Sequence, residues 1–148
     1  MAHALLSPSS ASQWLTCTPA PRLCEGREDS SSSFADEGTL AHAYAEVYLR
    51  HHDDKDTREK ELQALENHEH AQYYSADLEA YAEDFANYVL ELCKGNYVLK
   101  VEQKLDLREW VPEGFGTGDG IVVKDGVLLL CDLKYGKGVK VSSVENKQ

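Results

Sequence analysis

The dipeptide Asp125-Gly126, set between the apolar stretches 121–123 and 127–131, constrains this chain more than any other feature. A two-residue Asp-Gly loop favours a type I′ turn, because its backbone twist matches that of the strands it joins. The turn then fixes the register. Lys124 faces Val127, and each step outward pairs one residue from either strand until Asp119 faces Asp132. A four-residue loop that keeps Val123 opposite Leu128 preserves the same pairing, whereas a loop of three or five breaks it. Side chains alternate along a strand, so Leu128, Leu130, Asp132 and Lys134 share one face and Val127, Leu129, Cys131 and Leu133 the other. Directly opposite residues have Cβ atoms about 5 Å apart, where two unit charges repel by about 3 kcal/mol at an effective dielectric near 20. An ordinary cross-strand pair contributes only about 0.2 to 1 kcal/mol. A divalent cation, the Lys134 ammonium or a shared proton is therefore expected in the gap. The run 127–131 is apolar on both faces, which predicts a central strand covered on both sides.

At 148 residues the chain is long enough for one domain with a substantial core, and a single domain over 1–148 is expected. The net charge of −11 is unevenly spread: residues 1–52 carry −3, 53–93 carry −9 and 94–148 carry +1. Overall acidity argues against non-specific nucleic-acid binding, yet Lys134, Lys137 and Lys140 form a local basic stretch. The acidic third reads as a solvated helical face. Cys17, Cys24, Cys93 and Cys131 contain no C-x-x-C pair, so neither a zinc ribbon nor a disulfide framework is expected. No signal peptide or membrane-spanning run is evident, and a soluble, cytoplasmic protein without a membrane partner is the expectation.

Ser7-Pro8-Ser9-Ser10 followed by Ala11 to Cys17 predicts a short capped helix anchored by Trp14 and Leu15, ending near Pro19 and Pro21. Gly26 to Ser33 reads as a polar loop. A helix is predicted from about Phe34 to His52, with Leu40, Ala41, Tyr44, Ala45, Val47, Tyr48 and Leu49 on its apolar arc and His42 at the arc's edge. Residues 53–74 form a charged insertion or solvated helix. Ser75 caps a helix whose apolar positions Leu78, Tyr81, Ala82, Phe85, Val89 and Leu92 run to Gly95. From Tyr97 to Leu107 the odd positions are apolar apart from Gln103, as in a half-buried strand, and the even ones polar apart from Val98, with Glu102 among them. Ser142 or Ser143 looks like the cap of another helix, and the abrupt end at Gln148 predicts a piece of a longer protein.

Two aspartates and a lysine can supply what phosphodiester hydrolysis needs: an activated water and stabilisation of charge on the phosphoryl oxygens. Asp119 and Asp132 would hold Mg²⁺ or Mn²⁺, with the backbone carbonyl of Leu133 and waters completing the shell, and Lys134 would orient or deprotonate the attacking water. The D-x-K spacing is weak alone; the hairpin register strengthens it. Gly116-Thr117-Gly118-Asp119, the hairpin, and Asp132-Leu133-Lys134-Tyr135-Gly136 resemble the core of the PD-(D/E)XK nucleases, particularly the RecB-like branch. Glu37-Gly38-Thr39-Leu40-Ala41-His42 is similar to that branch's upstream helix motif. The resemblance implies an α/β (α+β) fold with a restriction-endonuclease-like core, a central mixed sheet flanked by helices and truncated at its C-terminus. It implies His42, Asp119 and Asp132 as metal ligands, Lys134 as the catalytic lysine, and Glu102 as a recurrent strand acid. Gln148 lies where the branch begins a glutamine and tyrosine motif. The opening Ala2 to Ala11 and the order of segments are similar to an uncharacterised phage and prophage family of RecB-like proteins. That likeness implies exonuclease action on DNA ends, with phage recombination proteins as further partners. Iron-sulfur relatives have cysteine spacings that this chain lacks.

Other readings compete. His42 could be a packed helix histidine, Asp119 a turn cap, and Asp132 with Lys134 an exposed strand end. Gly136, Lys137 and Gly138 could approach a phosphate, with Lys137 and Lys140 adding charge, or simply form a glycine-rich turn. His51 and His52 suit the dipole at a helix end, and His68 and His70 suit a polar loop. Two other functions remain open: a non-cleaving DNA- or protein-binding module on the same fold, and an acidic DNA mimic built on the −9 segment.

Overall fold

The computed structural model describes residues 5–25 and 32–136. The described residues divide into two compact units, one comprising 5–25 and 104–117, the other 32–103 and 118–136.

In the first unit a 3₁₀ turn, Pro8–Ser10, is capped by the Ser7 side chain, and α1 (Ala11–Thr16) follows it directly. The Trp14 indole N–H donates to the Ser7 carbonyl over 2.9 Å, which ties the start of the helix to its cap. Leu15 is 57% exposed, so the predicted pair of anchors reduces to Trp14. The chain does not stay open after Pro19: Pro21 falls in the first turn of α2 (Ala20–Cys24), where its missing N–H costs nothing.

The second unit is built on two long helices. In α3 (Ser33–Arg50) the Ser32 side chain accepts from the Ala35 amide, and Leu40, Ala41, Tyr44, Ala45 and Leu49 are buried. α4 (Lys55–Ala64), capped by Asp54, has no buried residue, as a solvated helix should; Leu62 still packs against the core from one side. In α5 (Ala76–Leu92) the Ser75 hydroxyl accepts from Leu78, and Leu78, Ala82, Ala86 and Val89 are buried. Tyr81, expected on the apolar arc, is 61% exposed. The small side chains Ala41, Ala45, Ala82 and Ala86 let α3 and α5 approach closely while Leu40 and Leu78 fill the space between them.

The strands β1 (Tyr97–Asp106), β2 (Phe115–Lys124) and β3 (Val127–Cys131) form one sheet in that order. The β2–β3 hairpin has the register the Asp-Gly turn dictates, from Lys124 opposite Val127 to Gly120 opposite Cys131. Asp125 and Gly126 both have positive φ, 51° and 77°, as a type I′ turn requires. The short connection from β1 to β2 cannot make a parallel crossover, so the sheet is antiparallel among the described residues and not mixed.

β3 was expected to be central, yet among the described residues it is the edge of this sheet. Leu129 and Cys131 pack on the Leu49, Ala86, Val89 and Val122 cluster, but Leu128 and Leu130 are 64% and 57% exposed. An unbroken apolar run therefore marked one covered face and one bare one. Gly120 sits under α5, where a Cβ would lie 3.3 Å from Val89 Cγ1. The four cysteines are free, and no helix among the described residues is long and apolar enough to cross a membrane. The helix expected after Ser142 lies outside the described residues, as does most of the loop expected over Gly26 to Ser33.

Candidate metal centre

Three ligand-type side chains from three elements converge in the second unit. His42 of α3, Glu102 of β1 and Asp119 of β2 place one imidazole nitrogen and two carboxylate oxygens within 4.8 Å of one another. His42 is half-buried beside the fully buried Leu40 and Ala41, so the same arc that builds the core delivers the ring to the sheet. Gly38, one turn earlier, leaves room for the segment after β3: a Cβ there would stand 3.7 Å from the Tyr135 carbonyl oxygen.

Asp119 reaches the helix side through a break in strand alternation. Gly118 and Gly120 should point to one face, but a Cβ on Gly118 would lie 2.8 Å from Leu130 Cδ1, whereas one on Gly120 would meet Val89. The irregularity turns Asp119 inward, where it is only 8% exposed. Its Oδ2 accepts the Leu133 amide at 2.7 Å and lies 3.3 Å from His42 Nδ1.

Glu102 arrives by a second irregularity. Its φ is +48°, a left-handed conformation that a side chain with a Cβ adopts at a cost of about 1 to 2 kcal/mol. Val101 packs on the helix-side cluster, so regular alternation would send Glu102 to the other face. The left-handed residue instead keeps both on the helix side. Arg50 holds this stretch: its guanidinium binds Glu46 at 2.6 Å and donates to the Val101 carbonyl at 3.2 Å. Sequence reasoning placed Glu46 and Arg50 on the polar face opposite the apolar arc and gave them no role at the site. Their i, i+4 spacing signals a helix pair, but nothing in it shows the reach to Val101.

The electrostatics are those of a site short of positive charge. Burial, the Asp119 charge and Glu46 together push the Glu102 carboxyl above its ordinary range, against the opposing pull of His42 and Arg50. For His42, burial acts to lower the pKa, but the Asp119 hydrogen bond and the charges of Asp119, Glu102 and Asp132 outweigh it and the net shift is upward. Both shifts mark a place where a cation would relieve crowded carboxylates.

The expected pairing of Asp119 with Asp132 falls just beyond the hydrogen-bonded ladder. The ladder ends at Gly120 and Cys131, one step before them; Asp119 turns inward, and Asp132 is exposed and bonded to Lys134 Nζ at 2.7 Å. Of the groups anticipated against the repulsion between these carboxylates, the Lys134 ammonium is present, paired with Asp132. Asp132 stays close enough for its charge to act on His42, but it is not one of the three converging groups. Leu133 meets the site with its amide, bonded to Asp119, and buries its side chain in the α3–α5 core. Lys134 is partly exposed beside Asp132. Lys137, Lys140 and Gln148 lie outside the described residues. His68 and His70 lie in the turn after α4, their rings 5.6 Å apart.

The donor set suits a divalent ion of hard or borderline character. An octahedral ion with ligand bonds of about 2.1 Å holds adjacent donors about 3 Å apart, which the 3.3 Å between His42 and Asp119 already approaches. Two carboxylates with one imidazole fit Mg²⁺, Mn²⁺, Fe²⁺ or Zn²⁺ without choosing among them.

Residues 3–148 match the model of the family described as Protein of unknown function (DUF2800), and the chain belongs to that family. No solved structure matches it.

Proposed function

We propose that this protein is a divalent-metal-dependent phosphodiesterase acting on DNA, with His42, Glu102 and Asp119 holding Mg²⁺ or Mn²⁺. One observation carries the reading: a left-handed glutamate, an inward-turned aspartate and a helix histidine meet at one point, each of the two strand acids brought there by a break in regular structure. Backbone strain that serves packing alone has no reason to gather acids. The choice of DNA as substrate rests on the resemblance of these segments to RecB-like nucleases.

A bound ion would supply Lewis acidity and a water more easily deprotonated than bulk water. The chain's own residues do the positioning. Leu133 N–H fixes one oxygen of Asp119, His42 orients the same carboxylate, and Arg50 steadies the backbone that presents Glu102. Lys134, exposed and paired with Asp132, is the cation assigned to meet a phosphate and steer the attacking water.

The test is cleavage of linear DNA by the purified protein with Mn²⁺ or Mg²⁺, beside Asp119→Asn and His42→Ala. Cleavage that needs the ion and disappears in both variants, with their folds intact, supports the reading. Cleavage unchanged in Asp119→Asn overturns it. The Asp132–Lys134 ion pair favours a second reading, a non-cleaving DNA-binding module, because each group is neutralised by the other. Metal binding that needs Asp119, with no cleavage under any divalent ion, would select that module.

A further inference from the structure

A half-open pocket of about 430 Å³ lies between α3, α4 and the start of α5. Its volume falls within the range of small-ligand pockets. Tyr44, Tyr74, Glu66 and Glu79 line it together with Leu62 and Leu65.

Glu79 is preorganised there. Its Oε1 accepts the Tyr48 hydroxyl at 2.9 Å and its Oε2 the Tyr74 hydroxyl at 2.7 Å, so the carboxylate is fixed while each oxygen keeps a lone pair. Among the described residues neither Glu66 nor Glu79 has an ion-pair partner. The Tyr44 ring stands 5.8 Å from that of Tyr74, tilted by 32°, which makes two walls of one corner. Tyr44 is 5% exposed and lines the cavity, yet its hydroxyl makes no hydrogen bond with any described residue. No buried side-chain polar atom among the described residues lacks a hydrogen-bond partner, so this hydroxyl is open to the pocket and free to bond what enters it.

We propose that this cavity binds an organic ammonium group on an alkyl stem. The N–H donors would go to Glu79, Glu66 and the free lone pairs of Tyr44, the positive charge would lie against the two tyrosine faces, and the stem would pack on Leu62 and Leu65. An anion is disfavoured by both carboxylates, and a neutral alcohol leaves their charge unanswered. The same chemistry is offered by a free aliphatic diamine and by a lysine side chain of another protein.

The experiment is an amide NMR titration of the full chain in chelator, so that the metal centre plays no part. The probes are a linear diaminoalkane, a lysine blocked at both backbone ends, and the neutral diol matching the diamine. Saturable shifts at Tyr44, Tyr74 and Glu79 are expected with at least one amine and not with the diol. The tighter of the two amines identifies the source. Glu79→Gln should weaken binding about tenfold, and Tyr44→Phe, which removes one oxygen and leaves the ring, about fivefold. Binding of neither amine, equal binding of the diol, or full affinity in both variants would overturn the proposal.

Discussion

The Leu133 amide donates to Asp119 Oδ2 over 2.7 Å, joining the segment after β3 to an aspartate that strand alternation would have left facing elsewhere. That bond sets the orientation of one ligand of the candidate metal centre and uses a main-chain donor that would otherwise be buried beside the 8%-exposed Leu133 side chain. Its consequences can be measured.

Replacing Asp119 with alanine orphans the Leu133 N–H and removes the partner of His42. Without metal, the variant should be about 1 to 3 kcal/mol less stable in urea denaturation, the cost of a buried donor left unsatisfied. The same variant should lose the stabilisation that Mn²⁺ gives the wild type. A variant as stable as the parent in chelator and equally stabilised by Mn²⁺ would show that Asp119 is a surface cap.

Glu102 predicts the opposite sign. Its left-handed backbone is strained for any residue with a Cβ, and its carboxylate lies against Asp119. Glu102→Gly relieves both and should raise stability in chelator by up to about 1 kcal/mol, after the greater unfolded-state entropy of glycine is set against the gain. Glu102→Ala keeps the strained φ and should gain less. Both should bind Mn²⁺ more weakly than the wild type by calorimetry. Loss of chelator-state stability in Glu102→Gly beyond that of the alanine variant would contradict a strained backbone at this position.

The pH dependence follows from His42. Its folded pKa lies above the ordinary 6.5, so the protonated ring stabilises the metal-free fold fully below that value, and the contribution is lost as pH rises through the folded pKa. A metal needs the neutral ring, so binding expels the proton. Mn²⁺ affinity should therefore rise with pH, by up to about tenfold per unit while His42 is protonated, and level off above its pKa. The raised Glu102 carboxyl steepens the fall in affinity only at lower pH. A flat affinity profile from pH 6 to 8 in the wild type would exclude His42 as a ligand.

The bare face of β3 gives a stability contrast. Leu128 is 64% exposed, and Leu128→Thr should change unfolding free energy by less than about 0.5 kcal/mol. Leu49 is 1% exposed within the core of α3, and Leu49→Ala should cost about 2 to 5 kcal/mol. Similar losses from the two would mean that Leu128 is covered in solution.

Much of the scaffold was legible in the residues. Asp125-Gly126 announced a type I′ hairpin because only residues tolerant of positive φ suit it, and the ladder from Lys124 to Gly120 kept the register that follows. Ser75 and the period of Leu78, Ala82 and Val89 announced α5, since a cap and an apolar stripe are local signals. His42 could be read as standing at the margin of a buried arc. The step that would set Asp119 against Asp132 lies beyond the last ladder pair, where the register no longer fixes which way either carboxylate turns.

Hairpin and helices come from short-range rules: turn chemistry, capping and periodicity act within a few residues and are written where they operate, whereas His42 as a ligand came from the resemblance to RecB-like nucleases and Asp119 from the hairpin register together with that resemblance. Which acid joins those two was decided by tertiary structure. Arg50 on a distant helix holds the strand where Glu102 turns left-handed, and Leu133 captures Asp119, so Glu102 enters the site while Asp132 stays with Lys134. Contacts between residues far apart in the chain can stabilise two breaks in strand geometry that no local pattern favours.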